Sequence, residues 1–199
     1  MRLSGILLAA GAARRFGADK LMQPLPTPSH DVPPGTPMAV ASLLHLRAAL
    51  DDCVAVVRPG AGPVQALLEQ AGAQVLVCAT ADEGMGCSLA CGIAGRADAD
   101  GWLVALADMP WIEPASILVV ADALRGGASI AATRFKGARG HPVGFSRRHR
   151  DALLQLRGDE GARALLQAHR DEIVLVDVED AGVVRDVDVP EDLRGEVRD

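Results

Sequence analysis

The sequence predicts an α/β protein with a three-layer, Rossmann-like, doubly wound sheet that is mainly parallel and carries an antiparallel edge strand or hairpin. Strand-length apolar runs alternate with helical patterns along most of the chain, which is typical of βαβ units whose sheet is covered on both faces. The regularity ends after Arg134, where a glycine-bearing connection and a returning apolar run predict the hairpin.

The individual elements follow from this pattern. The predicted strands span residues 3–9, 53–57, 74–78, 102–106, 129–133, 141–145, 173–178 and 183–187. The predicted helices span residues 38–50, 62–71, 88–94, 113–124, 151–156 and 162–169, and a closing helix begins at Pro190. Residues 23–37 are rich in proline, which fixes φ and removes backbone donors, so this segment is neither helix nor strand. We expect a lid or mobile flap there, beside the first loop.

Length and composition limit the classes of protein. At 199 residues the chain is predicted to form one domain, residues 1–199, with a substantial core. The formal net charge of −6 and the 3% of aromatic residues argue against nucleic acid as a partner. The four cysteines lack zinc spacing and are expected to pack as small core residues. No signal-peptide core and no apolar run of membrane-spanning length occurs, so we expect a cytoplasmic protein without a membrane partner.

The loop after the first strand is the leading candidate for a binding site. It runs from Gly11 to Lys20 and carries Arg14 and Arg15. Small residues and cations therefore follow a strand at the sheet edge where α/β proteins bind ligands. These residue types suit a phosphate, although a turn with solvated cations fits the spacing equally well.

Spacing excludes two common phosphate-binding loops. A Walker loop has four residues between its glycines and a hydroxyl residue after its lysine, whereas five residues separate Gly11 from Gly17 and Leu21 follows Lys20. A dinucleotide fingerprint would need a glycine at the position of Ala13. The loop is therefore neither an ATPase loop of the Walker type nor a standard NAD loop.

Two acidic segments supply candidate metal ligands. Asp108 follows the predicted strand 102–106 at the same sheet edge as the first loop, and it is either a ligand for Mg²⁺ or a turn-stabilising residue. Alternation along an extended chain puts Asp186 and Asp188 on one face, where two like charges repel unless a cation or water lies between them. Asp192 is expected to serve the first turn of the closing helix.

His141 and Ser88 are weaker candidates for chemistry. A histidine titrates near neutral pH, but no Ser or Cys nucleophile stands in a recognisable elbow to accompany His141. Ser88 lies at the start of a predicted helix, where a cap or a ligand contact fits better than a nucleophile.

Five segments in order resemble motifs of the molybdenum cofactor nucleotidyltransferases, the MobA-like NTP transferases, and are closest to the branch that uses CTP and molybdopterin. They are LAAGAARRFGADK at 8–20, MGCSL at 85–89, ADMP at 107–110, GHPV at 140–143 and DVDVPED at 186–192. The resemblance extends over residues 3–193. The chain departs from the family pattern at Ala13, where Ser is frequent, at Ala107, where Gly is frequent, and in its longer proline-rich insert.

The resemblance implies a fold like that of the nucleotide-diphospho-sugar transferases and transfer of CMP from CTP to the terminal phosphate of molybdopterin, with release of pyrophosphate. Arg15, Lys20 and Asp108 are the implied catalytic residues. Mg²⁺ is the implied cofactor, held by Asp108 with Asp188 or Asp186. The implied nucleotide-binding residues are Leu8, Ala9, Ala10, Gly11, Ala12, Ala13, Gly17, Lys20, Gly86 and Ser88.

The acceptor side is implied in the same way. His141, Arg134 and Arg139 are expected to bind the molybdopterin, and the cofactor would pass to a molybdoenzyme of the xanthine dehydrogenase type. Two other functions stay open. One is a nucleotidyltransferase of the same fold that uses GTP or a sugar or alditol phosphate. The other is a nucleotide-binding chaperone that delivers cofactor without turnover.

Overall fold

The computed structural model describes residues 1–11 and 19–194, and its centre is a seven-stranded sheet. The strands are β1 (Leu3–Leu8), β2 (Asp52–Val57), β3 (Gln74–Val77), β4 (Gly101–Leu106), β5 (Ile130–Phe135), β6 (Ala138–Ser146) and β7 (Ile173–Asp177). The α-helices are α1 (Met38–Ala49), α2 (Gly62–Gln70), α3 (Met85–Gly95), α4 (Pro114–Arg125), α5 (Arg150–Leu154) and α6 (Arg163–Ala168). Short 3₁₀ turns occupy Lys20–Met22, Ala81–Glu83, Arg147–His149, Arg170–Glu172, Ala181–Val184 and Pro190–Arg194.

The strands follow the order β3-β2-β1-β4-β6-β5-β7. All neighbouring pairs are parallel except those of β6, which runs antiparallel to both β4 and β5. The predicted α/β class and the predicted hairpin are confirmed. The antiparallel strand itself lies inside the sheet, because β6 pairs with β4 on one side and with β5 on the other.

Strand side chains alternate between two hydrophobic clusters, which makes the three layers. In β1, Leu3 and Leu7 belong to one cluster, whereas Ile6 and Leu8 belong to the other. Helices α1, α2 and α4 cover the first face with residues such as Leu43, Leu68 and Ile117. Helices α3, α5 and α6 cover the second face with Leu89, Leu153 and Leu166. Because β1 and β4 are parallel neighbours, the chain leaves both strands at the same edge of the sheet.

The predicted strand 183–187 is wrong. The chain there forms the 3₁₀ turn Ala181–Val184 and then runs extended outside the sheet. Asp180 fixes the turn, since its carboxylate accepts hydrogen bonds from the backbone of Gly182 (2.7 Å) and Glu113 (2.8 Å). The apolar pattern that suggested a strand has another cause, because the side chains of Val183 and Val187 fill the core.

The proline-rich segment packs against the core and is not the predicted flap. Its apolar residues Leu25 and Val32 are buried at 1% and 4% exposure. The buried hydroxyl of Ser29 donates to the carbonyl of Pro110 (2.9 Å), and the ring of His45 contacts the Ser29 carbonyl (3.1 Å). The segment therefore supports the turn that follows β4. In the part of the chain that the structure describes, no helix is long and apolar enough to cross a membrane.

We expect Ser29→Ala to lower the free energy of unfolding by about 1–3 kcal/mol, because it leaves the buried Pro110 carbonyl without its donor. Urea denaturation measures the change. Thr36→Ala is the matched control, since the Thr36 hydroxyl donates to the Pro33 carbonyl at an exposed position of the same segment. Equal effects of the two substitutions would contradict the role given to Ser29.

Candidate active site

A cavity of about 420 Å³ opens at the edge of the sheet where β1 and β4 end. Its lining residues are Leu8, Ala10, Gly11, Lys20, Leu21, Ala81, Asp82, Gly84, Met85, Ser88, Leu106, Asp108 and Asp159. The walls thus combine the first loop, the turn after β4 and the start of α3. Ligands of open α/β sheets bind at this position.

The side chain of Lys20 joins three distant parts of the chain. Its ammonium nitrogen, Nζ, donates to Oδ2 of Asp108 (2.8 Å) and to the carbonyl of Val187 (2.8 Å). Oδ1 of Asp188 lies 3.7 Å from the same nitrogen. Lys20 is 9% exposed, so this charge is compensated by neighbouring oxygens rather than by bulk water.

The backbone around Asp108 holds its carboxylate in place. The N–H of Ala107 donates to the carbonyl of Leu8 (3.0 Å), which ties the turn to β1. The carbonyl of Asp108 accepts from the N–H of Val187 (3.0 Å), which ties it to the C-terminal segment. The predicted proximity of Asp108 to the end of β1 is confirmed by these contacts.

The carboxylates of the C-terminal acidic segment, residues 186–192, make different contacts. Oδ2 of Asp192 accepts from the backbone of Asp188 (2.9 Å) and Val189 (2.9 Å), so it serves the start of the last turn, as predicted. The carboxylate of Asp188 is 60% exposed and faces Lys20. The pKa of Asp186 is raised by burial and then by the charges of Asp188 and Asp108. All three predicted metal ligands therefore lie within electrostatic reach of one another.

The carboxylate oxygens at this site suit a hard divalent cation. Asp108 and Asp188 both face Lys20, and carboxylate oxygens are the ligands that Mg²⁺ and Mn²⁺ prefer. Among residues 1–11 and 19–194, no group of three or more metal-binding side chains converges. Mg²⁺ is commonly held by one or two carboxylates and completed by substrate phosphates and water. Asp108 and Asp188 fit this kind of site, in which substrate and water complete the coordination, rather than a site formed by protein ligands alone.

The predicted first-loop residues divide into three groups. Leu8, Ala10 and Gly11 line the cavity, whereas Ala9 is buried and its N–H donates to the Val56 carbonyl (2.8 Å). Lys20 also lines the cavity. The remaining predicted residues lie outside the described part of the chain and are Ala12, Ala13, Arg15 and Gly17.

The wall formed by α3 contains both predicted residues in different roles. Ser88 lies in the first turns of the helix, is 3% exposed and lines the cavity. The N–H of Gly86 instead donates to the carbonyl of Gly158 (2.8 Å). A Cβ at Gly86 would stand 2.7 Å from the carbonyl oxygen of Arg157, so the glycine permits the close approach of residues 157–158.

A second cavity, of about 240 Å³, adjoins the first and shares Leu8, Met85 and Leu106 with it. Apolar side chains form most of its wall, and its polar residues are Arg139, His141, Glu160 and Arg163. Burial lowers the pKa of His141, which favours its neutral form. Its Nδ1 is buried without a hydrogen-bond partner in the described part of the chain.

The structure does not bring Arg134 to either cavity. Its guanidinium forms two hydrogen bonds of 2.6 Å with the carboxylate of Asp177 at the surface. The pairing of β7 with β5 supplies this carboxylate, and the role of Arg134 towards the acceptor stays a prediction. Arg139 and His141, also predicted, do line the second cavity.

Sequence reasoning missed three charged residues in the connection from α5 to α6 and at the start of α6. Asp159 lines the first cavity, and Glu160 and Arg163 line the second. Residues 158–161 had only the pattern of a connection between short helices. The available signal was the pair Gly158 and Gly161, both at positive φ (71° and 55°), which shape a defined turn.

A family model described as the MobA-like NTP transferase domain matches residues 5–173. The protein belongs to the MobA-like NTP transferase family. The family predicted from the sequence motifs is thus confirmed, together with NTP transfer as its general chemistry.

Individual relatives match over nearly the whole chain. The purine catabolism protein PucB of Bacillus subtilis (strain 168) is 32% identical over 96% of this chain and 93% of its own length. Rv0371c from Mycobacterium tuberculosis H37Rv superposes with a TM-score of 0.82 and 29% identity, covering 98% of this chain and 96% of its own. A second structure of Rv0371c, at 28% identity and a TM-score of 0.76, is a complex with manganese and covers 98% and 97% of the two chains.

We expect Asp108→Asn to weaken Mn²⁺ binding in the presence of a nucleoside triphosphate at least about tenfold, because a neutral amide replaces a charged ligand. Isothermal titration calorimetry measures the affinity. Asp122→Asn is the control, since Asp122 pairs with Arg125 on the exposed face of α4. An unaltered Mn²⁺ affinity in Asp108→Asn would contradict the assignment of the metal ligand.

Proposed function

We propose that this MobA-like NTP transferase is a divalent-metal-dependent cytidylyltransferase that acts on molybdopterin. It would transfer CMP from CTP to the terminal phosphate of molybdopterin, with molybdenum inserted, and release pyrophosphate. The observation that supports this most is the contact of Lys20 with Asp108 and Asp188 inside a cavity at the edge of the sheet. The family supplies the reaction type, and the CTP and molybdopterin specificities rest on the resemblance of the motifs.

The reaction forms one P–O bond and breaks another. An oxygen of the acceptor phosphate attacks the α-phosphorus of the nucleotide, and the bond from that phosphorus to the β-phosphate oxygen breaks. Pyrophosphate leaves with the electron pair. The nucleophile is already an anion at neutral pH, so the protein's task is to position three groups of negative charge and to neutralise them.

The described residues suit this task. Lys20 supplies a positive charge where the nucleotide phosphates would lie, and the backbone of Gly11 leaves room for them. Asp108 and Asp188 would hold Mg²⁺ or Mn²⁺, which supplies charge neutralisation on the phosphate oxygens when bound. The proposed role of Arg15 is to neutralise the departing pyrophosphate.

The second cavity is the proposed acceptor site. It joins the first cavity along Leu8, Met85 and Leu106, so a donor and an acceptor could meet at that boundary. Arg139 supplies a cation for a phosphate, and neutral His141 could donate or accept a hydrogen bond. The Bacillus relative is named for purine catabolism, which agrees with a recipient molybdoenzyme of the xanthine dehydrogenase type.

We expect pyrophosphate release with CTP to exceed that with GTP, ATP or UTP when molybdopterin and Mg²⁺ are present. A coupled pyrophosphate assay with the four nucleotides measures this. Faster release with GTP would indicate a GTP-using transferase of this fold. Release only with a sugar or alditol phosphate as acceptor would indicate a sugar- or alditol-phosphate nucleotidyltransferase. Tight CTP binding without any metal-dependent release would favour the delivery chaperone.

We expect Lys20→Ala to lower the rate of pyrophosphate release by about 10²–10³-fold, because a preorganised charge is lost from the phosphate site. Lys136→Ala is the matched control, since Lys136 stacks over Phe135 at the far hairpin. Urea denaturation of both variants separates catalysis from folding. A near-normal rate in Lys20→Ala would contradict the assignment.

A further inference from the structure

One short segment, residues 157–161, separates the two cavities, and we call it the dividing loop. It connects α5 with α6. Within it, Asp159 lines the first cavity and the next residue, Glu160, lines the second. Gly158 and Gly161 have positive φ on either side of these two acidic residues. The backbone therefore turns so that successive side chains serve different cavities.

The dividing loop is fixed against the start of α3. The Gly158 carbonyl accepts from the N–H of Gly86 (2.8 Å), and the absence of a side chain at Gly84 leaves space for the loop. A Cβ at Gly84 would stand 2.6 Å from Oδ1 of Asp159. The Asp159 carboxylate thus lies directly over the first turn of an eleven-residue helix, where negative charge is favoured.

The polar groups at this end of the cavity have no partners in the protein. Asp159 forms no hydrogen bond or ion pair within residues 1–11 and 19–194, and neither does Asp82 beside it. The Ser88 hydroxyl also makes no hydrogen bond within these residues, although Ser88 is 3% exposed. Because Ser88 lines the cavity, its hydroxyl can donate to or accept from a ligand bound there.

The distribution of charge orients a nucleotide in the first cavity. A triphosphate is attracted to the end that holds Lys20 and the proposed metal ligands. It is repelled by the carboxylates of Asp82 and Asp159 at the other end. The nucleobase therefore occupies the end formed by Asp159 and Ser88. An ionised carboxylate only accepts hydrogen bonds, so it selects for a base that presents a donor there.

We propose that Asp159 is a specificity-determining residue whose carboxylate accepts a hydrogen bond from the exocyclic amino group of the nucleobase. This inference rests on the proposed function and deepens it, because it names how CTP is distinguished from UTP. Cytosine and uracil have the same size, but uracil carries a carbonyl oxygen in place of the amino group. With UTP, two acceptors would face each other and the carboxylate would lose its partner.

The test is equilibrium binding of CTP and of UTP in the presence of Mn²⁺, measured by calorimetry without any acceptor. We expect the wild-type protein to prefer CTP, and Asp159→Asn to reduce the ratio of the two affinities at least about tenfold, because an amide can also donate to the uracil carbonyl. Asp159→Ala should weaken CTP binding without improving UTP binding. Asp151→Asn is the matched control at an exposed position of α5, and it should keep the wild-type ratio.

Two results would overturn the inference while leaving the proposed function intact. One is a CTP-to-UTP ratio in Asp159→Asn within about twofold of the wild type. The other is a ratio that falls in Asp82→Asn but not in Asp159→Asn, which would assign base selection to Asp82. Wild-type protein that binds neither nucleotide would overturn the proposed function together with this inference.

Discussion

The contact of the Lys20 ammonium with Asp108, Asp188 and the Val187 carbonyl is the interaction on which the site depends. It joins residues from the beginning, the middle and the end of the described chain. A buried ammonium is costly unless oxygens surround it, so the 3₁₀ turn of Lys20, the turn after β4 and the C-terminal segment must dock together. The family match ends at residue 173, yet the C-terminal segment completes the cluster. The phosphate end of the cavity is therefore a product of the whole fold rather than of the first loop alone.

The same constraint explains why the support around Asp108 is so extensive. The turn that carries it is bonded to β1 through Leu8 and to the C-terminal segment through Val187, and the proline-rich segment holds Pro110 two residues further on. In the proposed function, the Asp108 carboxylate would bind a divalent cation beside the Lys20 ammonium, which requires a backbone that holds it in place. Each of these bonds restrains the backbone and leaves the carboxylate itself accessible to the cavity.

The sequence could predict the parts of the site that follow from topology. Lys20 and Asp108 come after parallel strands, and the carboxyl ends of such strands must share one edge. The sequence could not show the partner of Arg134, because only the pairing of β7 with β5 brings Asp177 to it. Asp159 was missed because its place depends on how the dividing loop docks on α3, which no periodicity encodes. The strand predicted at 183–187 was wrong for a similar reason, because Val183 and Val187 are buried in the core without belonging to the sheet.

The two cavities also limit the geometry of the proposed reaction. An in-line displacement needs the attacking and leaving oxygens on opposite sides of the α-phosphorus. If the base lies at the dividing loop and the phosphates lie at Lys20, as proposed, the α-phosphate of a bound nucleotide would lie between them, near the ends of β1 and β4. This is the boundary that the cavities share through Leu8 and Leu106. An acceptor phosphate entering from the second cavity would reach the α-phosphorus there, while pyrophosphate departs towards Lys20. The dividing loop would then serve both substrates, with Asp159 towards the donor and Glu160 towards the acceptor.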